Sequence, residues 1–111
     1  MALLGHRSDG ELAWLYRHAA AVLCPSQLEG FGLPVVEGEA LGVPVLLSDD
    51  AAMGEVSRAG TTKLSPHDAA AWRTAVLAAL DGRLTAALPP ERPRSWADVA
   101  AETVEEVRRA R

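Results

Sequence analysis

Glu29 and Glu37 are the residues of this 111-residue chain whose type and spacing best suit chemistry. They stand eight positions apart around the run Gly30-Phe-Gly-Leu-Pro-Val-Val36, which couples two residues without side chains to a bulky ring and a proline. An ionised carboxylate only accepts hydrogen bonds, so each glutamate can take vicinal hydroxyls of a sugar. Gly30 and Gly32 let bare backbone approach a ligand and take positive φ where required. Pro34 can open a helix, because its missing N–H costs nothing at the first helical position. A helix N-terminus in turn offers unpaired N–H groups and partial positive charge to a phosphate. Each part also has a plainer reading. The glycines suit a turn and a close packing contact, and Glu37, placed on the first helical turn, suits the helix dipole. Phe31 is expected to anchor the loop by burying its ring.

The flanking patterns say what must hold this segment in place. Ala20-Ala-Val-Leu-Cys24 is a short apolar run ending at Pro25-Ser26, as a buried parallel strand would be. The helix opened by Pro34 is predicted to run to about Leu41 and stop at Gly42, a left-handed cap. Val43-Pro-Val-Leu-Leu47 is the next predicted strand. In open α/β sheets ligands bind beyond the C-terminal ends of the strands, which is where residues 29–33 fall.

Upstream, Ala2-Leu-Leu4 reads as the tail of a strand running into a loop at Gly5-His-Arg7. Ser8-Asp-Gly-Glu11 is a capping box, and Leu12, Leu15, Tyr16 and Ala19 follow at helical spacing. Downstream, Ser48-Asp-Asp50 turns into a short helix predicted around residues 51–59, and Thr61-Thr-Lys-Leu64 is a weaker strand. Trp72, Ala75, Val76, Ala79 and Leu80 mark another helix. A proline-rich linker over residues 88–94 leads to a last helix over 95–110, capped by Ser95. Its apolar stripe is Trp96, Val99, Ala100, Thr103, Val104 and Val107. Trp72 and Trp96 are expected in the core. Helices alternating with strands indicate a partial Rossmann-like, three-layer α/β/α fold with a parallel sheet over residues 1–111. Three or four strands are legible where doubly wound sheets usually have about five or six, so the chain reads as the back half of a domain.

Bulk properties narrow the functions. A formal charge of −4 argues against nucleic acid or an anionic membrane surface as partner. Met1-Ala-Leu-Leu-Gly5 is too short for a signal or spanning segment, so no membrane insertion is expected and the cytoplasm is the default. The single cysteine, Cys24, excludes an internal disulfide and reads as a small buried hydrophobe. His6, His18 and His67 lack metal-ligand spacing; His18 suits the end of the first helix and its dipole. His6 lies within the Gly5–Arg7 loop. Asp49-Asp50 can line a cleft or simply serve the turn.

Together these residues resemble a family. The order Glu11-Leu-Ala-x-Leu-Tyr16, Pro25-Ser-x-x-Glu-Gly-Phe-Gly-Leu-Pro-Val-x-Glu37, Ala40-x-Gly-x-Pro-Val45, Ser48, Glu55-Val56 and Ser95-Trp96 is similar to the C-terminal domain of retaining GT-B glycosyltransferases of the group 1 type. The resemblance implies binding of a UDP-, GDP- or ADP-linked hexose as donor substrate, with no separate cofactor and usually no metal. It implies that Glu29 contacts sugar hydroxyls, that the backbone at Gly30, Phe31, Gly32 and Leu33 meets the sugar and distal phosphate, and that Glu37 binds ribose. It puts Arg7 near the base and assigns no catalytic residue.

The departures from the family pattern are specific. The upstream glycine-rich loop, its Arg/Lys pair and the N-terminal acceptor domain are absent from the chain. Gly38-Glu39 replaces Ala-Met, which weakens the helix by roughly 1 kcal/mol at Gly38 and carries a larger cost if Glu39 is buried. Transfer is therefore expected to need the missing domain or a partner chain. The rival expectations are a non-catalytic nucleotide-sugar-binding module, a subunit of a split enzyme, or an inactive truncated product.

Overall fold

The structure is a computed structural model that describes residues 1–27, 31–49, 56–87 and 95–110. Its elements in chain order are α1 (Asp9–His18), β1 (Val22–Cys24), α2 (Leu33–Ala40), β2 (Val45–Ser48), β3 (Thr62–Leu64), α3 (Ala69–Leu80) and α4 (Trp96–Arg109). The strands form one parallel sheet in the order β1-β2-β3. Val22 pairs with Val45 and Cys24 with Leu47; on the other side Leu46 pairs with Thr62 and Ser48 with Leu64. This is the expected α/β architecture. Among the described residues no helix is long and apolar enough to cross a membrane.

The tightest packing is α2 on the sheet. Val35 of α2 meets Cys24, Val45 and Leu47 in one buried cluster, with Val22 packed at its margin. Strand alternation sends Val45 and Leu47 to that face and Leu46 to the other, yet all three are buried, so β2 is covered on both sides. Gly38 sets how closely α2 approaches. A Cβ at this position would stand 2.8 Å from Val45 Cγ2 and 3.2 Å from Val22 Cγ2. The glycine that lowers helix propensity is thus the one that lets helix and sheet touch. The helix ends in a Schellman motif, with Val43 N–H donating to the Gly38 carbonyl and Gly42 N–H to that of Glu39. Gly42 takes φ 70°, as expected of a left-handed cap.

Glu39 is buried, at 1% exposure. The expected penalty is met by partners: Thr61 Oγ1 and the Arg58 N–H both donate to Oε1, and Arg58 Nε lies 3.4 Å from Oε2. The carboxylate ties α2 to the turn leading into β3. It also explains why the helix predicted around 51–59 does not extend that far. Residues 50–55 lie outside the described set, Val56 is helical, and beyond it the chain bends; the Arg58 N–H goes to Glu39 rather than to a helical carbonyl.

Other expectations divide. The Ser8–Glu11 capping box of α1 and the Ser95 cap of α4 both form, the latter closed by Asp98. Cys24 is buried. Residues 2–4 form no strand; Leu3 and Leu4 are exposed, and a strand persists only where a neighbour takes its N–H and C=O groups. In α3, Ala75 and Ala79 are buried and Trp72 is partly covered, donating Nε1–H to the Ser65 carbonyl, whereas Leu80 is exposed. Trp96 is not in the core. It is 87% exposed, and α4 buries none of its residues. The 88–94 linker lies outside the described residues.

Candidate functional site

The site starts where β1 ends. Glu29 and Gly30 lie outside the described residues, so the described geometry begins at Phe31. Gly32 sits in the left-handed region at φ 75°, ψ 41° and serves as N-cap of α2 without a side chain to satisfy the first N–H groups. Its carbonyl accepts from the Val35 N–H at 3.0 Å and from the Val36 N–H at 3.4 Å. Pro34 is the second helical residue, one later than expected, and has no N–H to orphan. The Leu33 N–H, one of the first-turn donors, thus has no acceptor within the helix. Only glycine reaches this backbone region without strain, which is why Gly32 occupies the bend between the loop and α2.

Phe31 does not anchor the loop by burial. The residue is 61% exposed, and Leu33 beside it is also exposed. The buried residue is Gly32 between them, because the tight left-handed bend turns the backbone inward and both neighbouring side chains outward. The mouth of α2 therefore has two apolar side chains at its rim.

Glu37 is the fifth residue of α2, beyond the first turn, and that turn holds no acidic residue. The dipole explanation loses its force there, since the effect fades past the terminal turn. Its carboxylate has a specific partner instead. Tyr16 Oη on α1 donates to Glu37 Oε2 at 2.9 Å. Partial burial and the adjacent carboxylate push the Tyr16 phenol well above the usual tyrosine range. Tyr16 and Glu37 share a cleft of about 210 Å³ between α1 and α2 with Asp9, Leu12, Ala13 and Leu41. In the sequence Tyr16 belongs to the apolar stripe of α1 and to the family pattern, and neither gives it a partner. Nothing in a 21-residue separation marks it as the partner of Glu37; only the fold brings the two together.

Arg7 is elsewhere. It faces Glu11, Nη1 to Oε1 at 3.8 Å, and lines a separate cavity of about 460 Å³ with Leu4, Gly10, Glu11, Trp14 and Leu15. His18 Nδ1 lies 2.8 Å from the Trp14 carbonyl and its ring stacks on Trp14, which fits the expected place at the end of α1. The Asp49 N–H donates to the Leu64 carbonyl, a cross-strand contact that extends the β2–β3 pairing by one residue. Ser48 Oγ is buried and has no hydrogen-bond partner among the described residues.

The chain matches the glycosyl transferases group 1 family over residues 1–101. It belongs to that family. It is similar to the D-inositol 3-phosphate glycosyltransferase of Rhodococcus opacus, 34% identical over 119 aligned positions covering 99% of this chain and 26% of that protein. It is also similar to the O-antigen chain mannosyltransferase RfbU of Salmonella typhimurium, 39% identical over 62% of this chain and 20% of the relative. The glycogen synthase of Mycobacterium tuberculosis is 38% identical over 70% of this chain and 19% of its own length. The chain thus spans about a fifth to a quarter of these relatives. No solved structure matches it.

Proposed function

We propose that the chain binds a nucleoside diphosphate hexose and serves as the donor-binding part of a retaining glycosyltransferase. The observation that carries this is the α2 mouth: Gly32 in the left-handed region opens α2 after the loop that follows β1 and leaves the Leu33 N–H without an acceptor in the helix, with Glu37 a turn further along the same helix. An N–H at a helix N-terminus suits the distal phosphate, and Glu37 suits the ribose diol. Glu29, preceding the glycine, takes the hexose hydroxyls in this reading, and the Gly30–Leu33 backbone lies against sugar and phosphate. Family membership supports a sugar-transfer role, and the three relatives named above all carry names of that class.

Departure of a nucleoside diphosphate develops negative charge on the leaving phosphate. Backbone N–H groups fixed beforehand stabilise that charge without reorganising. The acceptor must also be held against the anomeric carbon, and that task falls to the part of the enzyme beyond this chain's share of its relatives' length.

The test is calorimetric titration of the chain with UDP-glucose, GDP-mannose and ADP-glucose. Saturable binding of one of them, weakened about tenfold or more by Glu37→Ala, is the expected result, since hydrogen bonds to a charged group contribute about 1.5–3 kcal/mol. Absence of saturable binding for all three, or equal affinity in the variant, removes the assignment.

A further inference from the structure

We infer that Tyr16 is a positioning residue for the Glu37 carboxylate, and that the pair, one residue from each of two helices, forms the ribose-recognising unit of the donor site. The inference rests on the reading of Glu37 given above and deepens it by naming what holds that side chain.

Glu37 is exposed on α2. A glutamate in that setting rotates about three bonds, and a ligand that needs one orientation must pay the ordering entropy on binding. The Tyr16 hydroxyl, 2.9 Å from Oε2, selects one orientation in advance. Tyrosine is suited to this, because its ring has only two rotatable bonds and here is half-buried, so the hydroxyl is delivered from a fixed position. The hydroxyl stays protonated and acts as a donor, because burial, and then the Glu37 carboxylate itself, disfavour the phenolate. A donor on Oε2 leaves Oε1 and the second lone pair of Oε2 for incoming hydroxyls, and a vicinal diol needs two acceptor sites.

The setting agrees. The cleft that both residues line is apolar along Leu12, Ala13 and Leu41 and carries one further acceptor, Asp9, at the N-terminus of α1. It offers acceptors for hydroxyls and an apolar wall for the face of a ring, and among the described residues that line it none is a cation for a phosphate. The pair therefore divides the work with the α2 mouth: backbone N–H for phosphate at one place, oxygens for hydroxyls at the other.

The alternative is that Tyr16 merely clips α1 to α2. The two are separated by titrating wild type, Tyr16→Phe, Glu37→Ala and the double variant. The probes are the best-binding of UDP-glucose, GDP-mannose and ADP-glucose, and its 2′,3′-dideoxyribose counterpart. Tyr16→Phe keeps the ring and removes only the hydroxyl. It is expected to weaken the ribose-containing ligand about three- to tenfold, as loss of one hydrogen bond would, and to leave the dideoxy ligand within about twofold. Glu37→Ala is expected to lose more, with the same dependence on the diol, and the double variant to bind no worse than Glu37→Ala.

Equal losses on both ligands with Tyr16→Phe, or a double variant that sums the single losses, would overturn the positioning role and leave the clip. A Glu37→Ala effect with no Tyr16→Phe effect sinks the inference alone. No Glu37→Ala effect on either ligand sinks the donor reading beneath it. Should Tyr16→Phe lose its helical circular dichroism, Glu37→Gln takes its place. That variant keeps an acceptor for Tyr16 and an oxygen for the diol, so a small, diol-dependent loss supports the inference and a diol-independent one overturns it.

Discussion

Helices α2 and α4 are opposite cases. In sequence α4 is the more regular, with a continuous apolar stripe, a capping box and charges arranged along the dipole; α2 is eight residues long with a glycine and two glutamates in its last four. In the structure α2 buries Val35, Gly38 and Glu39, more than any other described helix, while α4 buries nothing. A helix forms from local order, but it is held by what it meets. The α2 residues that look worst for a helix are the ones that fit its neighbours: Gly38 clears Val45 and Val22, and Glu39 reaches Arg58 and Thr61.

The comparison can be broken most severely at Glu39. Glu39→Ala strips the buried acceptor from the Thr61 hydroxyl and the Arg58 N–H, and is expected to destabilise the fold by about 3 kcal/mol in urea unfolding. A loss under about 1 kcal/mol would mean that α2 is held by its apolar face alone.

Gly38→Ala comes next. The gain in helix propensity of about 1 kcal/mol opposes overpacking of about 1–3 kcal/mol against a stiff, buried valine, for a net loss of roughly 1 kcal/mol. Gly10 in α1 is the control, because a Cβ there meets nothing within 4 Å. Gly10→Ala is expected to stabilise by up to about 1 kcal/mol. The same substitution should therefore change sign between the two helices.

On α4, Ser95→Ala removes a cap that contributes about 1 kcal/mol to the helix. The loss should appear as faster amide exchange within α4, with the unfolding midpoint of the sheet unmoved. Trp96→Ala is expected to change global stability by no more than about 0.5 kcal/mol, as at other exposed positions. A larger loss would show that α4 is packed rather than free-standing.

The gentlest test is pH. The Ser8 N–H, and then its hydroxyl, hold the Glu11 carboxyl below the usual glutamate range. A group whose folded value is lowered contributes stability above its unfolded value and loses it as pH falls through the folded one. The start of α1 should therefore fray in acid, seen as a loss of protection at the Ser8 amide after correction for the slower intrinsic exchange at low pH, while α2, which lacks such a box, shows no matching change.

The local order was legible in the chain itself. Ser8 with Glu11 and Ser95 with its following turn announced two helix starts, Gly42 announced a stop, and the apolar runs around Cys24 and Leu46 announced parallel strands. All of these depend on residues within a few positions of one another, and so does the motif from Glu29 to Glu37 that led to the family. What the chain could not disclose depends on residues far apart. Ala2-Leu-Leu4 has the composition of a strand but not the neighbour, and the stripe of α4 has the pattern of a buried face but not the cover. Whether Phe31 points in or out was settled by the left-handed bend at Gly32. Whether Glu39 is a burden or a tie was settled by Arg58 and Thr61, about twenty residues on. The carboxylate of Glu37 was visible from the start; its alignment by Tyr16 exists only because two helices and a strand bring a phenol to it. Sequence determines which groups are available and how short segments coil, because propensity and capping act locally. Tertiary structure decides which of those groups are buried, paired and aimed, because burial and long-range hydrogen bonds belong to the whole chain.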